Sequence, residues 1–418
     1  MAAAIEADHL PGNALKTSAF AFASDLAGEG VETVLGNLKE RAGLGGITTA
    51  FTYHAARDVF PHNPARRVVT LDRGEFFFPP EMSLYDGLRI RPQVNEIARL
   101  DVLGETCRRA ADLGLAVHAW TVFLHFDRAG EYLDCTTENA FGDRYVGDLC
   151  PGNPDVRAYV RALVADVARH DVESILAESL HFHGLEHGYH HERYFIELGA
   201  RARYLLGLCF CEHCLACATR AGVDGARVRA AARDEIERVF ADRSLSTDTD
   251  VDRVELAEVA GGELVRYLGV RDDTVASLVE EATELARAAG TRLVFLELSG
   301  AVKGYATGRP QGGPAAAIAW RFGVDLDRFA RICPQVEVVG YAADVDRVRL
   351  DLTAYRDRLG DVALSVALRP TSPDCDSPEN LAAKIRVARE LGVARVDFYH
   401  YGFVRLEALD WIRAALEA

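Results

Sequence analysis

Short runs rich in β-branched and aromatic residues alternate with helical patterns of 12 or more residues about eight times along this chain. That alternation limits the fold more than any other feature. The runs are TSAFAFA (17–23), GITTAFTYH (46–54), LAVHAWTVF (115–123), VESILAES (172–179), RLVFLELSG (292–300), VEVVGYAAD (336–344), VALSVALRP (362–370) and ARVDFYHYG (394–402). Each is nearly continuous in apolar character, as parallel strands covered on both faces must be. Eight βα units in order predict one (β/α)8 TIM barrel, with residues 1–418 as a single domain. A doubly wound sheet is the competing arrangement, but no G-x-G-x-x-G follows an early strand.

Two insertions interrupt the pattern. Residues 55–93 hold short alternating runs (RRVVTLD, EFFFPP, LRIRP) that predict a hairpin excursion after strand 2, acting as a lid or a subunit contact. An exposed apolar patch there would suit a homo-oligomer. Residues 195–289 are almost wholly helical in pattern and follow strand 4, and KGYATGRPQGGP (303–314) predicts a mobile loop after strand 5.

The formal charge of −16 argues against nucleic acid, whose phosphates need a basic face, and against docking on anionic membranes. No apolar run approaches the roughly 18 residues that span a bilayer. The N-terminus, MAAAIEADHLPGN, lacks the basic and apolar regions of a secretory signal. The nine cysteines are odd in number and clustered, which suggests a reducing, cytoplasmic setting.

The densest cluster is LCFCEHCLAC (208–217), with four cysteines in ten residues. Neighbours spaced C-x-C rarely reach disulfide geometry, and the C-x-x-C pair lacks the strand-to-helix position of a redox motif. Two readings stand: packed thiols, or zinc ligands. Cys209, Cys211 and Cys214 can converge on one ion from a tight turn, with a fourth ligand from elsewhere.

The stretch LCPGNPDVRAYV (149–160), then a strand carrying a glutamate, then C-x-C-x-x-C, resembles the family 42 β-galactosidases of glycoside hydrolase clan A. Barrel proteins of a related glycoside-hydrolase-like type carry similar CFC-x-x-C runs. The resemblance implies a structural zinc held by Cys150, Cys209, Cys211 and Cys214, and Glu178 as catalytic acid. Cys217 is a bystander. Two departures matter. Ala177 stands where the family has asparagine, and strand 7 (ALRPTSPD) lacks the clan's nucleophilic glutamate.

In a TIM barrel, reactive groups stand at the C-terminal strand ends. Glycoside cleavage needs two carboxylates, so Glu178 is paired with Glu297 on strand 5 or Asp344 after strand 6. His54, His118, Trp120, His183, His187, Tyr341, Arg369 and His400 are the expected substrate-binding residues. Aromatic faces and imidazoles suit a small carbohydrate, and the Arg369 fork suits an anionic sugar such as a uronate. The loop HFHGLEHGYHHERYF (181–195) is read as lining the substrate, with a second metal as its alternative. Two other functions fit the same ring: a divalent-metal sugar isomerase or epimerase using Glu178, Glu297 and Asp344, and a non-catalytic carbohydrate-binding barrel.

Overall fold

A computed structural model describes residues 15–71, 74–186, 193–246, 250–300 and 306–418. The eight predicted strands are present as β1 (Lys16–Ala21), β2 (Gly46–Tyr53), β3 (Ala116–Val122), β4 (Ser174–Glu178), β5 (Arg292–Glu297), β6 (Gln335–Val339), β7 (Ala363–Leu368) and β8 (Arg395–Phe398). Each pairs in parallel with its neighbours, and β1 pairs with both β8 and β2, so the sheet closes. Helices between the strands cover the outside, which explains why the strand sequences are apolar on both faces.

Inside the barrel the side chains form layers. The lower layer is polar: Ser18 bonds Thr48 at 2.8 Å, Thr48 bonds Asp397 at 2.7 Å, and Arg395 reaches Glu337 at 2.6 Å and Asp397 at 2.5 Å. Above it lies an aromatic layer of Phe20, Phe22, Tyr53, Trp120, Tyr341 and Tyr399, all buried and joined by edge and tilted contacts. Polar mouth residues stand above the aromatics.

The register of β2 against β3 shifts between Ala50 and Thr52. A bulge adds one residue and re-aims the side chains beyond it. Phe51 therefore packs outward on Phe78 and His170, while Tyr53 turns inward onto Trp120 at 4.7 Å. Thr52 bridges the irregularity, its hydroxyl bonding both N–H and C=O of Val122 at 2.9 Å.

After β2, Ala56–Val59 and Val68–Leu71 form the expected antiparallel hairpin. The short strand Glu75–Phe76 then returns antiparallel to the end of β2. This pairing draws Phe76, Phe77 and Phe78 into the core, so they form no exposed patch. A second hairpin, Thr136–Glu138 with Arg144–Leu149, follows β3 and was not foreseen. The region after β4 is helical, with Ala200–Leu206, Glu212–Arg220, Gly225–Ala241 and Glu263–Ala288. The loop expected to be mobile after β5 is held over residues 310–313, where Arg347 donates to the carbonyls of Pro310, Gly312 and Gly313 at 3.4, 2.9 and 2.9 Å. No helix among the described residues is long and apolar enough to cross a membrane.

Candidate active site and cysteine cluster

Glu178 ends β4 at the C-terminal mouth, half-buried, with its side chain on the inner face above Trp120. The Trp120 indole N–H donates to Oε2 at 2.5 Å. Burial pushes the carboxyl above its ordinary range, while the charge of nearby His54 and the Trp120 bond pull the other way. The result is a positioned carboxyl that holds its proton more tightly than a free glutamate, as a general acid must.

His54 follows β2. Its Nδ1 lies 2.9 Å from the Ala55 carbonyl, and its ring stacks between Tyr53 at 4.1 Å and His125 at 4.4 Å. His183 bonds Asp148 through Nδ1 at 3.0 Å; burial and the His54 charge hold it down at about 3. His181 is lowered to about 3 in the same way, by burial and by His183. Both imidazoles are therefore neutral hydrogen-bonding groups. His187 lies outside the described residues.

His400 ends β8 across the mouth. Its Nδ1 accepts from Gly402 N–H at 3.1 Å, and its ring packs on Phe22 at 4.2 Å and Phe403 at 4.5 Å. Asp25, fully buried after β1, lies 4.0 Å from that nitrogen and accepts from Phe22 N–H at 2.8 Å. Burial raises Asp25 to about 8, despite the Phe22 bond. Asp25, Asp148 and Asp374 are site-forming residues that sequence reasoning did not select; only Asp25 carried a signal, its position just past strand 1.

Four expected residues are placed differently. Glu297 does not meet Glu178. Phe295 is level with Ala177, so Glu178 shares the inner face with Leu296, and Glu297 faces outward with Ser179. There its carboxylate is fully buried, bonded to Ser299 and to the Tyr355 hydroxyl on the helix Val345–Leu359. Asp344 is exposed and caps that same helix, accepting from Asp346 N–H at 3.0 Å. His118 sits low in the barrel, bonded to Ser174 at 2.8 Å and Arg395 at 3.1 Å. It lines a cavity of about 630 Å³ at the N-terminal end, beside the strand starts Lys16 and Ala116. Arg369 does stand at the mouth, over the Tyr341 ring at 4.4 Å. Its fork, however, is already engaged by Asp374, at 2.6 and 2.8 Å. The edge expected to hold a uronate is thus occupied by a protein carboxylate.

The cysteines converge as the spacing and the resemblance implied. Cys150, Cys209, Cys211 and Cys214 are buried, and their sulfurs all lie within 4.8 Å of one another. Cys150 Sγ is 3.5 Å from Cys214 and Cys211 and 3.9 Å from Cys209. Four sulfurs about 2.3 Å from one ion would stand about 3.8 Å apart, so the set fits a tetrahedral metal site. Thiol donors around Cys211 push it far down toward the thiolate, the form that binds metal. Cys150 lies just before the helix Pro154–Val167, and Cys211 caps the helix Glu212–Arg220. The cluster therefore ties the segment after β3 to the segment after β4. Cys217 stands apart, against Arg220 at 3.0 Å. Among the described residues, this is the group of His, Cys, Asp and Glu close enough to hold a metal. Glu178, Glu297 and Asp344 form no such group.

No family model matches the chain, and no curated protein matches it by sequence. Solved structures do match, and they carry the same barrel. A β-galactosidase from the haloarchaeon Halorubrum lacusprofundi aligns over 96% of this chain and 57% of its own, at 13% identity and TM-score 0.56. A β-galactosidase from Marinomonas ef1 aligns over 96% and 59%, at 12% identity and TM-score 0.55. The catalytic domain of a β-amylase from Paenibacillus polymyxa aligns over 94% of both chains, at 12% identity and TM-score 0.51. The chain spans little more than half the length of the two β-galactosidases. At these identities the likeness shows the fold, a barrel of the kind found in glycoside hydrolases.

Proposed function

We propose that this protein is a glycoside-hydrolase-like enzyme that cleaves a small glycoside, with Glu178 as general acid. The observation that carries the reading is Glu178 itself: a half-buried carboxyl at the end of β4, fixed by Trp120 and raised by burial. Hydrolysis needs such a group to protonate the leaving oxygen as the glycosidic bond breaks. The aromatic layer beneath gives C–H surfaces a stacking floor. His54, His183 and His400 supply hydrogen bonds to hydroxyls, while Tyr341 with its Arg369 partner forms one wall.

The four cysteines would hold a zinc ion. Four thiolates leave no open position on it, so the metal would stabilise the loops around β4 and take no part in the reaction. An anionic sugar is not part of the proposal, because Asp374 occupies the Arg369 fork. The isomerase alternative loses its carboxylate cluster for the same geometric reasons that remove Glu297 and Asp344 from the site.

The test is a panel of 4-nitrophenyl glycosides and unmodified disaccharides, assayed with wild-type protein and Glu178→Gln. Turnover of at least one substrate is expected, reduced about 10²–10⁴-fold in the variant on the unmodified disaccharides, whose leaving groups need protonation. Sugar binding without turnover would identify a carbohydrate-binding barrel instead.

A further inference from the structure

Glycoside hydrolysis needs a second group beside the acid, either a nucleophile or a base for water, and Glu178 lacks a carboxylate partner among the residues expected to supply one. We propose that His54 fills that role: its Nε2 takes a proton from the attacking water while Glu178 protonates the leaving group, and the anomeric centre is inverted. The inference rests on the function proposed for Glu178.

Three observations carry it. First, the imidazole is held in one orientation and one tautomer. A carbonyl can only accept, so the contact with Ala55 O places the hydrogen on Nδ1 and leaves the lone pair on Nε2. Stacking between Tyr53 and His125 fixes the ring plane. Nε2 has no hydrogen-bond partner among the described residues.

Second, Glu178 is prepared in the complementary way. Trp120 occupies Oε2, and Oε1 has no partner among the described residues. One fixed donor and one fixed acceptor thus remain open at the same mouth. Third, β2 and β4 flank β3, so their ends are separated by two strand spacings, about 9.6 Å. That spacing is of the order of the roughly 6.5–9.5 Å that leaves room for a water between acid and base, and the His54 side chain is near enough for its charge to act on the Glu178 carboxyl.

The groups facing His54 are consistent with a base. Glu178 and Asp58 are its acidic neighbours, and His183 and His125 are the nearby imidazoles. Asp127 takes the Ala55 N–H at 2.5 Å and so anchors the His54 backbone. The step balances. Water loses H⁺ to Nε2 and its oxygen bonds the anomeric carbon. The glycosidic C–O bond breaks, and its oxygen takes H⁺ from Glu178. Solvent then carries the proton from imidazolium to carboxylate and restores both groups.

The experiment compares wild type, His54→Ala and His54→Gln on whichever substrate the panel identifies. The expected results are a first-formed product of inverted configuration by proton NMR and a kcat about 10²–10⁴-fold lower in both variants. Added imidazole should rescue the alanine variant, whose cavity can admit it, and not the glutamine variant. Retained configuration, or a wild-type kcat in His54→Ala, overturns the proposal. A measurement without turnover separates this from failure of the broader function: nitrogen-15 NMR of the free wild-type protein should show His54 neutral, with its hydrogen on Nδ1 and Nε2 unprotonated, while Glu178 still holds its proton. A neutral ring with its hydrogen on Nε2 overturns the pair, whether or not any glycoside is cleaved.

Discussion

Trp120 and Glu178 are joined by a 2.5 Å hydrogen bond from the indole N–H to Oε2, across the β3–β4 boundary. The bond stabilises the carboxylate, in opposition to the burial that favours the protonated form. Trp120→Phe removes only the stabilising side, so the Glu178 carboxyl should rise further. A general acid works while protonated. The alkaline limb of the pH profile of kcat/KM should therefore move to higher pH in Trp120→Phe, and a limb that stays or falls would contradict the assignment.

The four cysteines predict metal content. Purified protein should carry one zinc per chain, and Cys211→Ser should lose most of it. With about 3 kcal/mol lost and about 1 °C per kcal/mol, from an unfolding entropy of about 2.1 cal/mol/K per residue over 418 residues, Tm should drop by roughly 3 °C. Calorimetry with metal analysis checks both. A Cys211→Ser protein that remains folded at the wild-type Tm and zinc-loaded would refute the site.

Legibility in the sequence followed physical pattern. The eight strands were readable because parallel strands covered on both faces leave long apolar runs. That same continuity hid which way each strand-end carboxylate points: RLVFLE has no alternation to show that Glu297 faces the helix layer and Glu178 the barrel interior. Asp344 looked catalytic by position, yet a helix N-cap needs an aspartate there for its own reasons. His118 was placed at the mouth because the polar lower layer is assembled from residues far apart in the chain and leaves no local mark. The cysteines were legible because three lie within six residues and a motif supplied Cys150. The Arg369–Asp374 fork is local in sequence, but nothing in RPTSPD indicates that the loop folds back.

The polar layer inside the barrel predicts a large stability effect. Arg395 sits between Glu337 and Asp397, and burial together with Asp397 drives the Glu337 carboxyl well up. Arg395→Met leaves those acids facing one another without a cation. The expected loss is about 3–5 kcal/mol, read from denaturant unfolding; a loss below about 1 kcal/mol would show that the layer is held by other contacts.

Asp25 predicts a pH dependence of stability. Its carboxyl is raised from 3.8 to about 8, chiefly by burial. Between those values the folded state keeps a proton that the unfolded state releases, so unfolding is favoured as pH rises. The stability contribution is full below about pH 4 and is lost by about pH 8, with a slope of up to about 1.4 kcal/mol per pH unit. Asp25→Asn should flatten that slope across the window. An unchanged slope in the variant would mean that Asp25 ionises freely in the native protein.

In the proposed reaction Glu178 donates the proton to the leaving group, and leaving-group dependence isolates that step. A 2,4-dinitrophenyl glycoside departs without protonation; an alkyl glycoside does not. Rates of Glu178→Ala and wild type should be compared on both, on the sugar that the panel selects. The variant should stay within about tenfold of wild type on the activated glycoside and fall about 10²–10⁴-fold on the alkyl one. Equal losses on both substrates would contradict that role for Glu178.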